Sequence, residues 1–160
     1  MTTPINTKKN ATKIILFAWL LTGTLDILAA FADYYWHTGK GPEGVLRFIA
    51  SGVFGSKAFS GSSVMIWLGL LFHFIIAFAL TLFFYRVYPL LFFLQRNIII
   101  TAILYGIFAW AVTNLIIVPV SNTPKFPFNA LNGIKAAIIL IFTIGFPLSI
   151  IIKRFYRNQQ

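Results

Sequence analysis

The chain has no cysteine and only three acidic side chains, Asp26, Asp33 and Glu43. Without cysteine the protein can form neither a disulfide bond nor a thiolate metal site, although this absence leaves the cellular compartment open. Charged residues make up 10% of the 160 residues, whereas an ordinary soluble domain has roughly a quarter. The sequence therefore excludes thiol chemistry and argues against a soluble globular domain.

Apolar residues are abundant, at 59% of the chain, and they concentrate in four stretches at 13–32, 64–85, 98–118 and 134–152. Each stretch is close to the ~20 residues that a helix needs to cross the ~30 Å hydrocarbon core of a bilayer. We therefore predict that residues 1–160 form a single domain, an all-α integral membrane protein with four transmembrane helices.

Basic residues give the chain a net charge of +10, but they lie in the tails and loops rather than along one stripe. The expected partner is thus the lipid bilayer, and nucleic acid is not expected. With the N-terminus inside, eight of the thirteen Lys and Arg residues fall on the cytoplasmic side. The positive-inside rule then predicts that both termini are cytoplasmic.

Basic residues before the first apolar stretch also resemble a signal peptide, but Asp26 is atypical of one, so we expect this segment to be retained.

The loop between the first two apolar stretches has a helical pattern at 42–54 that is too short to cross a membrane. Pro42 suits the first turn of a helix, and Glu43 and Arg47 are four residues apart on one face. We predict a short amphipathic interfacial or re-entrant helix over the outer ends of the bundle, with Glu43 and Arg47 as lid candidates. The alternative is a surface helix with no gating or binding role.

Polar side chains inside the apolar stretches are the candidate functional residues. A carboxylate in hydrocarbon costs at least a few kcal/mol, so Asp26 should have a partner. Thr22 shares its helix face with Asp26, and Trp110 shares a face with Asn114, because these pairs are four residues apart. Measured from the outer boundary, Asp26, His73 and Asn114 lie about 10, 15 and 8 Å deep. We therefore expect these five residues to form one outer-half cluster that binds a small ligand or relays protons.

A structural role is the competing interpretation of the same residues. Small residues flank the polar ones on the same faces: Gly23, Gly69, Ala77 and Gly106. Small residues let helices approach closely in a bilayer, where polar side chains hydrogen-bond between helices. The protein could then be an accessory subunit that assembles with itself or with a larger membrane complex.

Pro147 interrupts the fourth apolar stretch four residues after Thr143. Because proline has no N–H, it frees the Thr143 carbonyl, which neighbouring helices must satisfy. A kink in the fourth helix is expected.

Enzymatic chemistry is not favoured, although an intramembrane lipid-modifying enzyme with Asp26 and His73 as acid and base stays a third hypothesis. There is no nucleophile motif, and two histidines without cysteine give no metal signature. We expect no metal and no cofactor.

Four segments resemble a known family: GTLDI at 23–27, EGVLRFIASGVFG at 43–55, LGLLFHFIIA at 68–77 and NLIIVPVS at 114–121. In these segments the chain is similar to the uncharacterised four-helix bacterial inner-membrane proteins of the YagU-like group. The resemblance implies a bacterial inner-membrane location. It implies no activity and assigns no site residue.

Overall fold

The computed structural model describes residues 4–91, 95–125, 127 and 129–158, with side chains from Asn10 onward. These residues form helices joined by turns, and no strand occurs within the described ranges. The main helices are α1 (Pro4–Thr38), α2 (Glu43–Phe54), α3 (Val64–Val87), α4 (Ile98–Val120) and α5 (Ala130–Arg157).

Four of the five helices, α1, α3, α4 and α5, are long and apolar enough to cross a membrane. This result confirms the predicted all-α membrane fold with four long helices and one short helix between the first two. We call the end of the bundle that carries α2 the α2 end. The opposite end, which carries the start of α1 and the end of α5, is the terminal end.

Helix α1 extends well beyond the predicted stretch at 13–32 and contains 35 residues. Its polar N-terminal residues have no Gly or Pro after Pro4, so nothing breaks the helix there. The helix also continues through the aromatic run at 34–36 and ends before Gly39, whose φ of 65° lies in the left-handed region. The helix ends therefore follow backbone-breaking residues rather than the change in hydropathy.

Helix α2 begins after Pro42, whose carbonyl accepts hydrogen bonds from the amides of Val45 and Leu46. It ends at Gly55, which has a φ of 58°. Helix α2 crosses α3 at Gly69, where an added Cβ would collide with the Leu46 carbonyl. The predicted short helix is confirmed, whereas its placement at a membrane interface stays a prediction.

Close backbone contacts join α1 to α3 and α5, and α4 to α5. Aromatic side chains connect α3 to α4: the Tyr105 hydroxyl donates to the Leu80 carbonyl at 2.5 Å, and the Phe84 and Tyr105 ring centroids are 4.4 Å apart. This order places α1 and α4 at opposite corners of the four-helix bundle. The apolar core of the terminal end includes Ala18, Leu80, Phe84, Tyr88, Tyr105, Ala109, Ile144, Leu148 and Ile152.

Two π-helical segments interrupt the α-helical pattern, at Val112–Ile117 in α4 and at Ile141–Gly145 in α5. The second lies directly before Pro147, so the region that was expected to kink contains a widened turn. Beside it α4 and α5 are in close backbone contact, because a Cβ on Gly106 would lie 2.5 Å from the Ile141 Cα and a Cβ on Gly145 would collide with the Ala102 carbonyl. π-Helical turns occur frequently at functional sites, so the side chains in these two segments are candidate functional residues.

Candidate functional site

Asp26 forms its direct contact with a residue that the sequence did not suggest as a site residue. Its Oδ1 atom lies 3.1 Å from the Thr143 hydroxyl oxygen, so the hydrogen bond joins α1 to the π segment of α5. The ion pairs among the described residues involve Asp33 and not Asp26. The titratable neighbour that interacts electrostatically with Asp26 is His73 on α3. The partly buried acid thus has a hydroxyl partner on α5 and an imidazole neighbour on α3.

His73 is attached to α1 one turn before Asp26. Its Nε2 atom lies 2.8 Å from the Gly23 carbonyl oxygen. Since a carbonyl can only accept, Nε2 carries a hydrogen and donates it. The missing side chain of Gly23 also lets α1 and α3 pack closely beside this bond, because a Cβ there would lie 2.9 Å from the Phe74 ring. Nδ1 is therefore the ring nitrogen left to accept a hydrogen bond.

Thr22 does not join this group through its side chain. It is 1% exposed, and its hydroxyl donates to the Ala18 carbonyl of its own helix at 2.8 Å. Its shared face with Asp26 therefore reflects helix packing.

Asn114 and Trp110 lie on α4, at the corner opposite α1, and the expected single cluster is divided in two. The Asn114 Nδ2 atom donates to the Trp110 carbonyl at 3.0 Å, within the same helix. Among the described residues the Trp110 indole Nε1 is buried and has no hydrogen-bond partner. Helical periodicity had placed each residue on a face, but it could not say which helix that face would meet.

A cavity of about 630 Å³ lies between α4 and α5 at the α2 end, and we call it the α4–α5 cavity. Its walls are mostly apolar, and Trp110 and Asn114 stand on the α4 side. Helix α2 contributes Phe48, and the start of α5 contributes Asn132 and Gly133. The remaining lining residues are Leu115, Val118, Pro119, Pro124, Lys125, Pro127, Asn129 and Ala136. Neither Asp26 nor His73 lines this cavity.

A second, smaller cavity of about 280 Å³ lies beneath α2, between α3 and α4. It shares Phe48 and Val118 with the α4–α5 cavity, and its lining includes Phe72, Thr113 and Ser121. Phe48 therefore separates the two spaces, and it is the α2 side chain whose position would decide whether they connect.

The two lid candidates of α2 do not pair with each other in the described residues. Arg47 donates instead to the Ala58 carbonyl at 3.0 Å and to the Gly61 carbonyl at 3.1 Å. It anchors the segment that follows α2. Glu43 lies against the backbone of Gly41. Arg47 therefore fixes α2 in place in this structure.

Lys125 closes the C-terminal end of α4. Its Nζ atom lies 2.8 Å from the carbonyl oxygens of Val118, Pro119 and Ser121, which uses all three ammonium hydrogens. The backbone N–H of Asn122 donates to the Gly52 carbonyl at 3.0 Å and so joins this loop to α2. These bonds hold one rim of the α4–α5 cavity.

An ion-pair group joins α1 to α5 at the α2 end. Lys135 lies 2.9 Å from the Asp33 carboxylate and 3.3 Å from the His37 Nε2 atom. All three side chains are partly exposed. Among the described residues no group of three His, Cys, Asp or Glu side chains could hold a metal ion.

The fold and these sites define the class of the molecule, an all-α multi-pass membrane protein with four apolar helices. No family model, no curated protein and no solved structure matches the chain. The resemblance described above therefore stays a prediction.

Proposed function

We propose that the protein is a non-enzymatic, multi-pass protein of the bacterial inner membrane that binds a small amphiphilic ligand in the α4–α5 cavity. The balance of basic residues supports cytoplasmic termini, with the α2 end on the outer side. In that orientation the cavity lies in the outer half of the membrane, under α2.

The observation that carries this proposal is the Trp110 indole Nε1, which is buried without a partner in a residue that lines a cavity of about 630 Å³. The volume lies within the ~300–1,000 Å³ of typical ligand pockets. A buried donor without an acceptor costs about 1–3 kcal/mol. Binding that turns the edge of the indole toward the cavity would let a ligand oxygen accept the indole hydrogen, and the apolar walls would hold a hydrocarbon segment.

The polar groups of the cavity indicate an uncharged head group. Lys125 lines the cavity, but its ammonium hydrogens are all bonded to carbonyl oxygens. An anionic head would therefore have to break these bonds in order to gain its own. Asn114 already donates through Nδ2, which leaves its Oδ1 to accept a hydrogen from a ligand hydroxyl. These groups suit an amphiphile that carries carbonyl and hydroxyl oxygens, such as a monoacylglycerol.

The geometry favours this function over the two alternatives. The small residues expected to form assembly faces are packed inside the chain, since Gly69 contacts Leu46 and Gly106 contacts Ile141. An accessory subunit would have to assemble through other surfaces. The acid and base of the enzyme hypothesis, Asp26 and His73, are bonded to neighbouring helices and do not line the cavity.

Native mass spectrometry with added monoacylglycerol tests the proposal. Trp110→Phe keeps an aromatic ring but removes the N–H donor, and we expect it to weaken binding about tenfold, the equivalent of about 1.4 kcal/mol. Ala136→Phe fills the cavity and should abolish binding. The matched control is Trp67→Phe on α3, because Trp67 is 70% exposed and does not line the cavity. Equal binding by wild type, Trp110→Phe and Ala136→Phe would refute the proposal.

A further inference from the structure

The Thr143 hydroxyl has two acceptors within reach but only one hydrogen. Its Oγ1 atom lies 3.0 Å from the Ile139 carbonyl oxygen and 3.1 Å from Asp26 Oδ1. The Ile139 carbonyl cannot donate. If Asp26 were ionised, Thr143 could satisfy only one of the two oxygens with a full hydrogen bond.

A protonated Asp26 removes this shortage. The carboxylic acid O–H would donate to Thr143 Oγ1, and the Thr143 O–H would donate to the Ile139 carbonyl, so that each contact has its own hydrogen. An uncharged acid also avoids the free-energy cost of a carboxylate within a membrane-spanning helix. The short distances therefore describe a complete network when Asp26 carries one proton.

The charged groups around Asp26 are few. On α3 the facing titratable group is His73, whose Nε2 hydrogen is already bonded to the Gly23 carbonyl. On α5 the facing group is the Thr143 hydroxyl, whereas Lys135 of the same helix pairs with Asp33 at the α2 end. In the described part of the chain no Lys or Arg forms an ion pair with Asp26.

We propose that Asp26 is an exchangeable proton-binding site inside the bundle, with Thr143 as its positioning residue. When the proton leaves, the Thr143 hydroxyl turns from the Ile139 carbonyl toward the carboxylate. Asp26 lies outside the α4–α5 cavity, so this site does not depend on the proposed ligand.

Infrared spectroscopy can test the site directly, because the chain has only three acidic side chains and Asp33 and Glu43 are solvent-accessible. The delipidated protein in an alkyl maltoside contains no lipid ester to hide a carboxylic acid C=O band. At neutral pH we expect this band in wild type and in the matched control Asp33→Asn, but not in Asp26→Asn. Alkaline pH should remove it while the helix signal in circular dichroism persists.

Two further variants test the role of the hydroxyl. Thr143→Val keeps the shape of the side chain but removes the acceptor, so the C=O band should move to higher frequency. Thr143→Ser should restore the wild-type position. If Asp26→Asn fails to fold, ¹³C-aspartate labelling of Asp33→Asn assigns the band instead, because Asp26 is then the only aspartate.

Four results would overturn the proposal. In the first, the C=O band is absent at every pH at which the protein stays folded, and in the second the band survives in Asp26→Asn. In the third, no pH removes the band, and in the fourth the band is lost when sodium replaces an organic cation. The last result would identify a sodium site. None of these measurements includes the cavity ligand, so they decide the proton site separately from the proposed function.

Discussion

Replacing Gly106 with alanine should destabilise the protein, although alanine is the better helix former. The added Cβ would lie 2.5 Å from the Ile141 Cα and 2.7 Å from the Ile141 backbone nitrogen. Comfortable contact between carbon atoms is about 3.5–4.0 Å, so α4 and α5 would have to separate by about 1 Å or more. Backbone atoms of a packed helix cannot move aside as a flexible side chain can. Overpacking of this kind costs about 1–3 kcal/mol, which exceeds the ~1 kcal/mol gained in helix propensity.

Gly52→Ala is the matched control, since its Cβ would find its nearest neighbour, Ser121 Cβ, at 3.6 Å, an ordinary contact distance. This variant should be as stable as wild type or more stable. Reversible unfolding in mixed micelles, with increasing SDS and far-ultraviolet circular dichroism as the readout, measures both free energies. A Gly106→Ala protein that unfolds at the same SDS fraction as wild type would refute the close α4–α5 packing.

Further variants test other contacts in the same unfolding assay. Tyr105→Phe removes the hydroxyl that donates to the Leu80 carbonyl and should cost about 0.5–1.5 kcal/mol; no change would mean that this bond does not hold α3 to α4. Lys135→Met breaks the partly exposed pair with Asp33 and should cost less than about 1 kcal/mol, with the loss disappearing in high salt. Lys125→Met should be more damaging than Lys135→Met, because the Pro119 and Ser121 carbonyl oxygens lose their ammonium donor at once, whereas the Val118 carbonyl keeps the Ser121 and Thr123 hydroxyls; the reverse order would contradict this capping role.

The number and type of helices could be predicted from the sequence because membrane-spanning helices have a strong hydropathy signal. The ends of α1 could not be predicted in this way. Hydropathy falls where the chain meets polar residues, whereas the helix continues until Gly39 breaks it. This error affects the predicted site, because the depths of Asp26, His73 and Asn114 were counted from predicted helix ends.

Corrected helix ends would have suggested the contact between Asp26 and Thr143. Asp26 lies twelve residues before the end of α1 at Thr38, and Thr143 lies thirteen residues after the start of α5 at Ala130. At 1.5 Å per residue these positions are about 18 and 20 Å from the α2 end of their helices. Asn114 is only about 9 Å from the end of α4 by the same count. The signal for Thr143 was thus present in the sequence, and the helix ends of the structure make the agreement in depth closer.

Asn114 shows a different limit of sequence-based reasoning. Its face could be assigned from periodicity, but the order of helices around the bundle depends on which surfaces fit together. Here Gly106 against Ile141 and Gly23 against Phe74 decide that α4 packs on α5 and α1 on α3. A periodic pattern in one helix contains no information about that fit. The predicted cluster was therefore divided between two corners of the bundle.

Helix α5 is the element that the two proposed sites share. Its first turns line the α4–α5 cavity through Asn132, Gly133 and Ala136, and Thr143 contacts Asp26 about two turns further along. A ligand and a proton can influence each other only if some element of the structure takes different positions in their presence. The π segment Ile141–Gly145 lies between the cavity and Pro147, and it contains Thr143. When Asp26 gains or loses its proton, the Thr143 hydroxyl makes or breaks its hydrogen bond to the Ile139 carbonyl. If the two sites are linked, Gly106→Ala, which forces α4 away from this segment, should change both monoacylglycerol binding and the pH at which the Asp26 band disappears. If they are independent, that variant should change the binding alone.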